Sequence, residues 1–200
     1  MRRRAALLAV RSVIGDDLVV CNQGGTSQDW HDVRPYNNLY QHAMGLTTTV
    51  ALGVALALPD ERVWAFEGDG GLLMSLGSLG LLARVATPNL RVVVFDNERY
   101  ESGGGLPTLT AGTVDLEAVA RGSGLSSRST VRDADALRLA AVELASAPAV
   151  GFVVAKVEPG TDGPALTIDA VEAKFRFVRD IERKRGIEVI HPPQRYTPII

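Results

Sequence analysis

The chain has 200 residues, 46% of them hydrophobic, enough for one α/β domain with a substantial core. A net charge of −2 supplies no basic field for nucleic acid. Gly and Thr interrupt the apolar run at positions 46–58 and Pro59 ends it, so no stretch of about 18 apolar residues marks a membrane span. The single cysteine, Cys21, excludes an internal disulfide and a CxxC zinc site and reads as a buried thiol at a strand end. The apolar segment after Arg2, Arg3 and Arg4 is too short for a signal peptide and lacks a cleavage site, so a soluble, cytoplasmic protein is expected.

Residues 2–13 read as a helix whose arginines form a solvated face. Residues 17–22 read as the first strand, apolar and β-rich. It runs into Gln23-Gly24-Gly25-Thr26-Ser27. This loop either caps a helix or, at the carboxyl edge of a sheet, donates amides and a hydroxyl to a phosphate. Residues 28–41 are polar and aromatic with no clean period. Trp, Tyr and Arg are types that anchor interfaces, and a loop of this length tends to be functional or interfacial. A subunit contact or the wall of a substrate entrance is expected there. His42-Ala43-Met44-Gly45 then opens a helix over 44–58, whose small residues allow tight packing on a sheet.

Residues 62–66 and 90–95 are apolar runs without polar alternation, suited to the middle of a parallel sheet covered on both faces. A helical pattern over 72–85 joins them into a βαβ unit. Glu101-Ser102-Gly103-Gly104-Gly105-Leu106-Pro107 reads as a flexible segment, because consecutive glycines cost entropy when ordered. That suits a loop closing over a ligand. A short helix follows over 115–121, with Thr113 as candidate cap. Then come a strand at 128–131, a helix at 134–147, a last strand at 151–157 and a Pro/Gly break at 158–164. Residues 168–185 form an amphipathic helix with Val171, Phe175, Val178 and Ile181 at helical spacing, packed on its own domain. Residues 187–200 form an extended tail suited to lying over another subunit. The pattern is a doubly wound, mostly parallel α/β sheet flanked by helices over 1–164, with a C-terminal helix and tail over 165–200.

The chemistry gathers at two turns. Glu67-Gly68-Asp69-Gly70-Gly71 follows one central strand and Asn97 follows the next. Parallel neighbours lie about 4.8 Å apart. If the two strands are adjacent, Asp69 and Asn97 share the carboxyl edge, where open α/β sheets bind ligands. A carboxylate and an amide oxygen suit Mg²⁺ or Ca²⁺ better than zinc. Gly70 and Gly71 admit close backbone approach, and a helix opening at Leu72 offers amides and a positive dipole end to an anion. The stretch reads as a metal and diphosphate site.

Gly68-Asp69-Gly70, then 26 residues, then Asn97 resembles the fingerprint of thiamine diphosphate (ThDP) enzymes. The wording GDGGLLMSLGSLGLLA…PNLRVVVFDNERYESGG is similar to the diphosphate-binding module in the beta subunits of sulfopyruvate and phosphonopyruvate decarboxylases. The likeness covers about 22–157 and is strongest over 45–105. It implies ThDP and Mg²⁺ as cofactors. The metal would take the side chains of Asp69 and Asn97 and the backbone carbonyl of Arg99. The cofactor would touch Gly25, Thr26, Gly68, Asp69, Gly70, Gly71, Asn97 and Tyr100. Met44, which by itself reads as core at a helix start, matches the apolar wedge that folds the cofactor. The residue matching the carbonyl that accepts from the pyrimidine amine is His42, where the family usually has Gly. Its side chain either carries a proton in catalysis or faces a partner chain. The family often has Gly at position 99 too, and Leu106 replaces a polar residue where the substrate sits. That last departure bears on the substrate rather than the cofactor.

In this family the activating glutamate lies on a separate pyrimidine-binding domain. The elements here already fill one sheet. The resemblance therefore implies half of a split enzyme: a carboxy-lyase subunit active only with a pyrimidine-binding alpha subunit, in a hetero-oligomer of dimers, on a small 2-oxoacid. Alternatives are a carboligase subunit of the acetolactate-synthase kind, and a non-catalytic ThDP-binding assembly subunit. A nicotinamide dehydrogenase would need GxGxxG after the first strand, which Gln23-Gly24-Gly25-Thr26 does not supply.

Overall fold

The computed structural model describes residues 1–190. In chain order the elements are α1 (Arg3–Ile14), β1 (Leu18–Cys21), α2 (Gly25–Val33), β2 (Asn38–Tyr40), α3 (Thr47–Ala57), β3 (Val63–Gly68), α4 (Asp69–Met74) and α5 (Gly77–Val85). They continue with β4 (Leu90–Asp96), β5 (Arg99–Tyr100), β6 (Leu106–Pro107), α6 (Leu116–Gly122), β7 (Ser127–Val131), α7 (Ala134–Ala145), β8 (Gly151–Lys156) and α8 (Ala170–Arg185). Six strands form one sheet in the order β2-β1-β3-β4-β8-β7, parallel at every pairing. Among the described residues no helix is long and apolar enough to cross a membrane.

The apolar runs that lack polar alternation are explained by two covered faces. Side chains of a strand point alternately to opposite faces. Val19, Cys21, Trp64, Phe66, Val93, Phe95, Val153 and Ala155 enter one core with α1, α7 and Trp30 of α2. Leu18, Val20, Val63, Ala65, Val92, Val94, Phe152 and Val154 enter a second core with α3, α5 and α6. Trp30, Phe66 and Phe95 stack edge to face, with centroids 4.9 and 5.3 Å apart. Cys21 is a buried free thiol, and burial raises its pKa well above the ordinary value.

Several local expectations need correction. Residues 28–41 are not one long loop: Gly25–Val33 is helical and Asn38–Tyr40 is an edge strand. The hydrophobic period is missing because α2 buries polar groups, Thr26, Ser27 and Asp29, beside Trp30. Trp30 and Arg34 point inward and are fully buried. The helix after Gly45 starts at Thr47, not Met44. Gly45 has φ +80°, and a Cβ there would stand 3.3 Å from Met74 Cβ, so a tight turn precedes the helix. The 72–85 helix is two helices, α4 from Asp69 and α5 from Gly77, broken at Ser75. The cap of α6 is Asp115, which accepts from the amides of Glu117 and Ala118, and not Thr113.

The arginine run divides. Arg2 and Arg4 make exposed pairs with Asp162 and Asp32. Arg3, expected on a solvated face, is buried between Asp29 and Glu101. On α8 the buried residues are Ala173, Phe177, Ile181 and Glu182, while Val171 and Phe175 are exposed. The helix packs on β2. Of the expected 187–200 tail, positions 191–200 lie outside the described residues. Val189 and Ile190 both donate backbone amides to Glu182 Oε1 at 2.7 Å.

Candidate active site

After β1 the chain goes to β2 on one side and then returns to β3 on the other. The carboxyl ends of β1 and β3 therefore flank a topological switch point, where such sheets form ligand clefts. A cleft opens there, and it reaches the end of β4 as well. The β3–β4 pairing sets Gly68 opposite Phe95, so Asp69 and Asn97 leave neighbouring strand ends and both line the cleft.

The remaining expected residues separate cleanly. Gly25, Thr26, Met44, Gly68, Gly70, Gly71, Arg99 and Tyr100 also line the cleft. His42 is exposed and lies outside the lining. Gly25 and Thr26 form the first turn of α2, whose N-cap Gly24 offers no side-chain bond. The helix at the motif starts at Asp69, so Gly70 and Gly71 lie inside its first turn. Their lack of a side chain serves packing. A Cβ at Gly70 would come within 2.5 Å of Tyr100 Cδ1 and Cε1, and one at Gly71 would collide with Glu67 Oε1.

Asp69 is buried, which raises its carboxyl above the ordinary pKa; hydroxyl bonds from Thr108 and Thr110 oppose that rise. Asn97 turns its side-chain oxygen on its own loop, accepting from the Arg99 amide at 3.0 Å. The expected flexible segment, 101–107, connects and partly forms a small hairpin, β5 against β6, with Arg99 opposite Pro107. Antiparallel pairs alternate between bonded and non-bonded. Thr108 N donates to Glu98 O, one position from the Arg99–Pro107 pair. Pro107 has no N–H to give. The Arg99 carbonyl therefore turns away from β6.

The donor set suits a hard ion. Among the described residues no three His, Cys, Asp or Glu side chains form a metal-binding group. One carboxylate, one amide oxygen and a carbonyl match an ion that takes few protein ligands and completes its shell with water and phosphate oxygens. The cleft also holds buried acceptors in want of a donor. Asn22 Oδ1 and Glu67 Oε2 have no hydrogen-bond partner among the described residues, and both residues line the cleft. Burial pushes the Glu67 carboxyl up to about 7, against a bond from the Gly68 amide. These two atoms fit a ligand group that brings hydrogen-bond donors.

Sequence reasoning missed Asn22, Glu67, Arg3, Thr108 and Thr110. A polar residue at the carboxyl end of an apolar strand is the signal that would have found Asn22 and Glu67. Arg3 reaches the cleft from α1 through tertiary packing that no local pattern carries.

Residues 21–157 match the family model "Thiamine pyrophosphate enzyme, C-terminal TPP binding domain". The chain is 33% identical over 184 residues to the sulfopyruvate decarboxylase subunit beta of Methanothermobacter thermautotrophicus, covering 90% of this chain and 96% of that one. It is 35% identical over 167 residues to the phosphonopyruvate decarboxylase of Streptomyces viridochromogenes, covering 80% of this chain and 42% of that one. Among solved structures, benzoylformate decarboxylase from Polynucleobacter necessarius superposes with a TM-score of 0.68 at 19% identity, over 82% of this chain and 34% of that chain. The last likeness speaks for the fold.

Proposed function

The chain belongs to the thiamine pyrophosphate enzyme family, with the C-terminal TPP-binding domain over 21–157, and on that premise we propose that it is the diphosphate- and Mg²⁺-binding subunit of a split ThDP-dependent decarboxylase of 2-oxoacids. Its substrate is sulfopyruvate-like or phosphonopyruvate-like. The observation that carries this is the meeting of Asp69 and Asn97, from adjacent parallel strands, in one cleft with Gly25, Thr26 and Met44.

Asp69, Asn97 and the Arg99 carbonyl would hold Mg²⁺. Gly25 and Thr26, at the start of α2, would give amides and a hydroxyl to the diphosphate. Gly68, Gly70, Gly71 and Tyr100 would shape its floor, and Met44 would wedge the cofactor from the side. When bound, ThDP supplies the electron sink that lets carbon dioxide leave a 2-oxoacid. The chain's task is to anchor, orient and shield.

The rest of the site is assigned to a pyrimidine-binding alpha subunit that brings the activating glutamate. Two observations support it. This chain matches almost the whole of a protein named as a subunit but 42% of a phosphonopyruvate decarboxylase. Met44, Leu46 and Met74 are exposed, and Gly45 between the first two packs on Met74, which makes an apolar rim at the cleft. His42, exposed beside that rim, would offer its backbone carbonyl to the cofactor and its side chain to the partner. The assembly is a cytoplasmic hetero-oligomer of dimers.

The test is reconstitution with a pyrimidine-binding alpha subunit from the same genome. The pair should release carbon dioxide and a free aldehyde from sulfopyruvate or phosphonopyruvate; this chain by itself should not. Asp69→Ala and Asn97→Ala should abolish release and ThDP-dependent Mg²⁺ binding. Turnover by the chain alone would remove the split-enzyme reading. A hydroxyketone product would move the assignment to a carboligase, and no ThDP binding by calorimetry with the partner present would move it to a non-catalytic subunit.

A further inference from the structure

Behind the cleft, Asp69 is held by residues that no motif includes. Its Oδ2 accepts from Thr108 Oγ1 at 2.6 Å and stands 3.1 Å from Thr110 Oγ1. The two hydroxyls are 2.8 Å apart. Thr110 Oγ1 also lies 2.8 Å from Asp96 Oδ1. All four residues are buried. Asp96 has its own partners: Lys156 Nζ is 2.7 Å from Oδ2, and the Glu98 amide donates to Oδ1 at 3.1 Å.

Each hydroxyl brings one proton. Two protons thus serve two carboxylates. Thr108 gives its proton to Asp69 Oδ2, and Thr110 holds its own between Asp69 Oδ2 and Asp96 Oδ1, the second already met by an ammonium and an amide. The two hydroxyls and two carboxylates form one buried network, whose bonds strengthen one another. It engages one carboxylate oxygen, Oδ2, and among the described residues no side-chain hydroxyl meets the other, Oδ1.

We propose that Thr108 and Thr110 are positioning residues for the metal: they pin Asp69 Oδ2, present Oδ1 alone, and thereby favour a small octahedral ion. This rests on the metal site proposed above. Groups behind a metal ligand typically set affinity by about 10–100-fold. The choice of ion follows from geometry. Mg²⁺ demands near-octahedral coordination, whereas Ca²⁺ accepts a bidentate carboxylate. A pinned Asp69 suits the first, and a released one swings to offer both oxygens to the second.

The experiment uses the reconstituted pair with ThDP, and measures Mg²⁺ and Ca²⁺ affinities by competition against Mn²⁺ followed by electron paramagnetic resonance. Melting temperature is recorded without metal. Thr108→Val and Thr110→Val keep the shape and lose the hydroxyl. Each should weaken Mg²⁺ by about 10–100-fold and Ca²⁺ by clearly less, and Thr108→Ser should restore both. Equal loss of both ions, in step with a lower melting temperature, would mark a structural role and overturn the proposal. So would unchanged Mg²⁺ affinity in both valine variants. Failure of the unaltered pair to bind any of the three ions would instead overturn the metal site itself, and this inference with it.

Discussion

Tyr100 rests its ring on the backbone of Gly70, so closely that a Cβ at Gly70 would sit 2.5 Å from ring carbons Cδ1 and Cε1. The contact joins the first turn of α4, which carries Asp69, to the hairpin that carries Arg99. Gly70→Ala should force the ring away and cost about 1–3 kcal/mol, the usual range for overpacking. Adding Tyr100→Ala should recover part of that loss. Urea unfolding of the two single variants and the double variant measures the coupling; strictly additive losses would mean that the ring moves freely.

Arg3 should be worth far more than its neighbours. Its guanidinium meets Asp29 at 3.1 Å and Glu101 at 2.8 Å, and it also donates to Gly160 O and Thr161 Oγ1. Arg3→Met leaves two carboxylates without their cation, a change that costs about 3–5 kcal/mol when the pair is buried. Arg4→Ala breaks the half-exposed pair with Asp32 and should cost less than about 1 kcal/mol. Thermal melts of the two variants side by side decide it.

Asn38 gathers the inward-facing groups of the polar segment. Its Oδ1 accepts from Trp30 Nε1 at 2.7 Å and Arg34 Nη2 at 3.2 Å, and its amide donates to Tyr40 Oη at 2.9 Å. Asn38→Leu strands buried donors, at about 1–3 kcal/mol for each group left unpaired. Chemical denaturation should show a loss in that range, with indole fluorescence reporting a changed Trp30 environment.

Glu182 gives an acid-dependent signal. The Ile190 and Val189 amides, followed by Arg179, lower its pKa from 4.5 to about 2. A carboxyl whose folded pKa is depressed adds stability above its unfolded pKa and loses it as pH falls through the folded one. The bonds to residues 189 and 190 should therefore persist below pH 4.5 and weaken as pH approaches 2. Amide chemical shifts of Val189 and Ile190 followed against pH should show that low midpoint; a midpoint near 4.5 would contradict it. Glu182→Gln should flatten the curve.

The central βαβ unit was legible because buried parallel strands are apolar throughout and their turns hold glycine. Val63–Gly68 and Leu90–Asp96 agree with the expected strands to within two residues. Asp69 and Asn97 were legible for the same reason: each is a polar residue placed just beyond an apolar run. Helix α2 was not, since its inner face is polar and satisfied from elsewhere, Asp29 by Arg3 and by the amides of Asp162 and Gly163. Nor was Thr110, whose value comes from lying beside two carboxylates that are 14 and 41 positions away along the chain. On α8 the helical period is legible but its phase is not: Ile181 faces the core with Ala173 and Phe177, while Val171 and Phe175 do not.

Among the described residues the main sheet contains no antiparallel rung. Each of its pairings must wait for an intervening segment to cross over, and no tight reversal within it can nucleate early. Chains dominated by such distant pairings collapse to the native state slowly and expose sticky intermediates meanwhile. Refolding of the denatured chain by dilution should thus be slow and of poor yield.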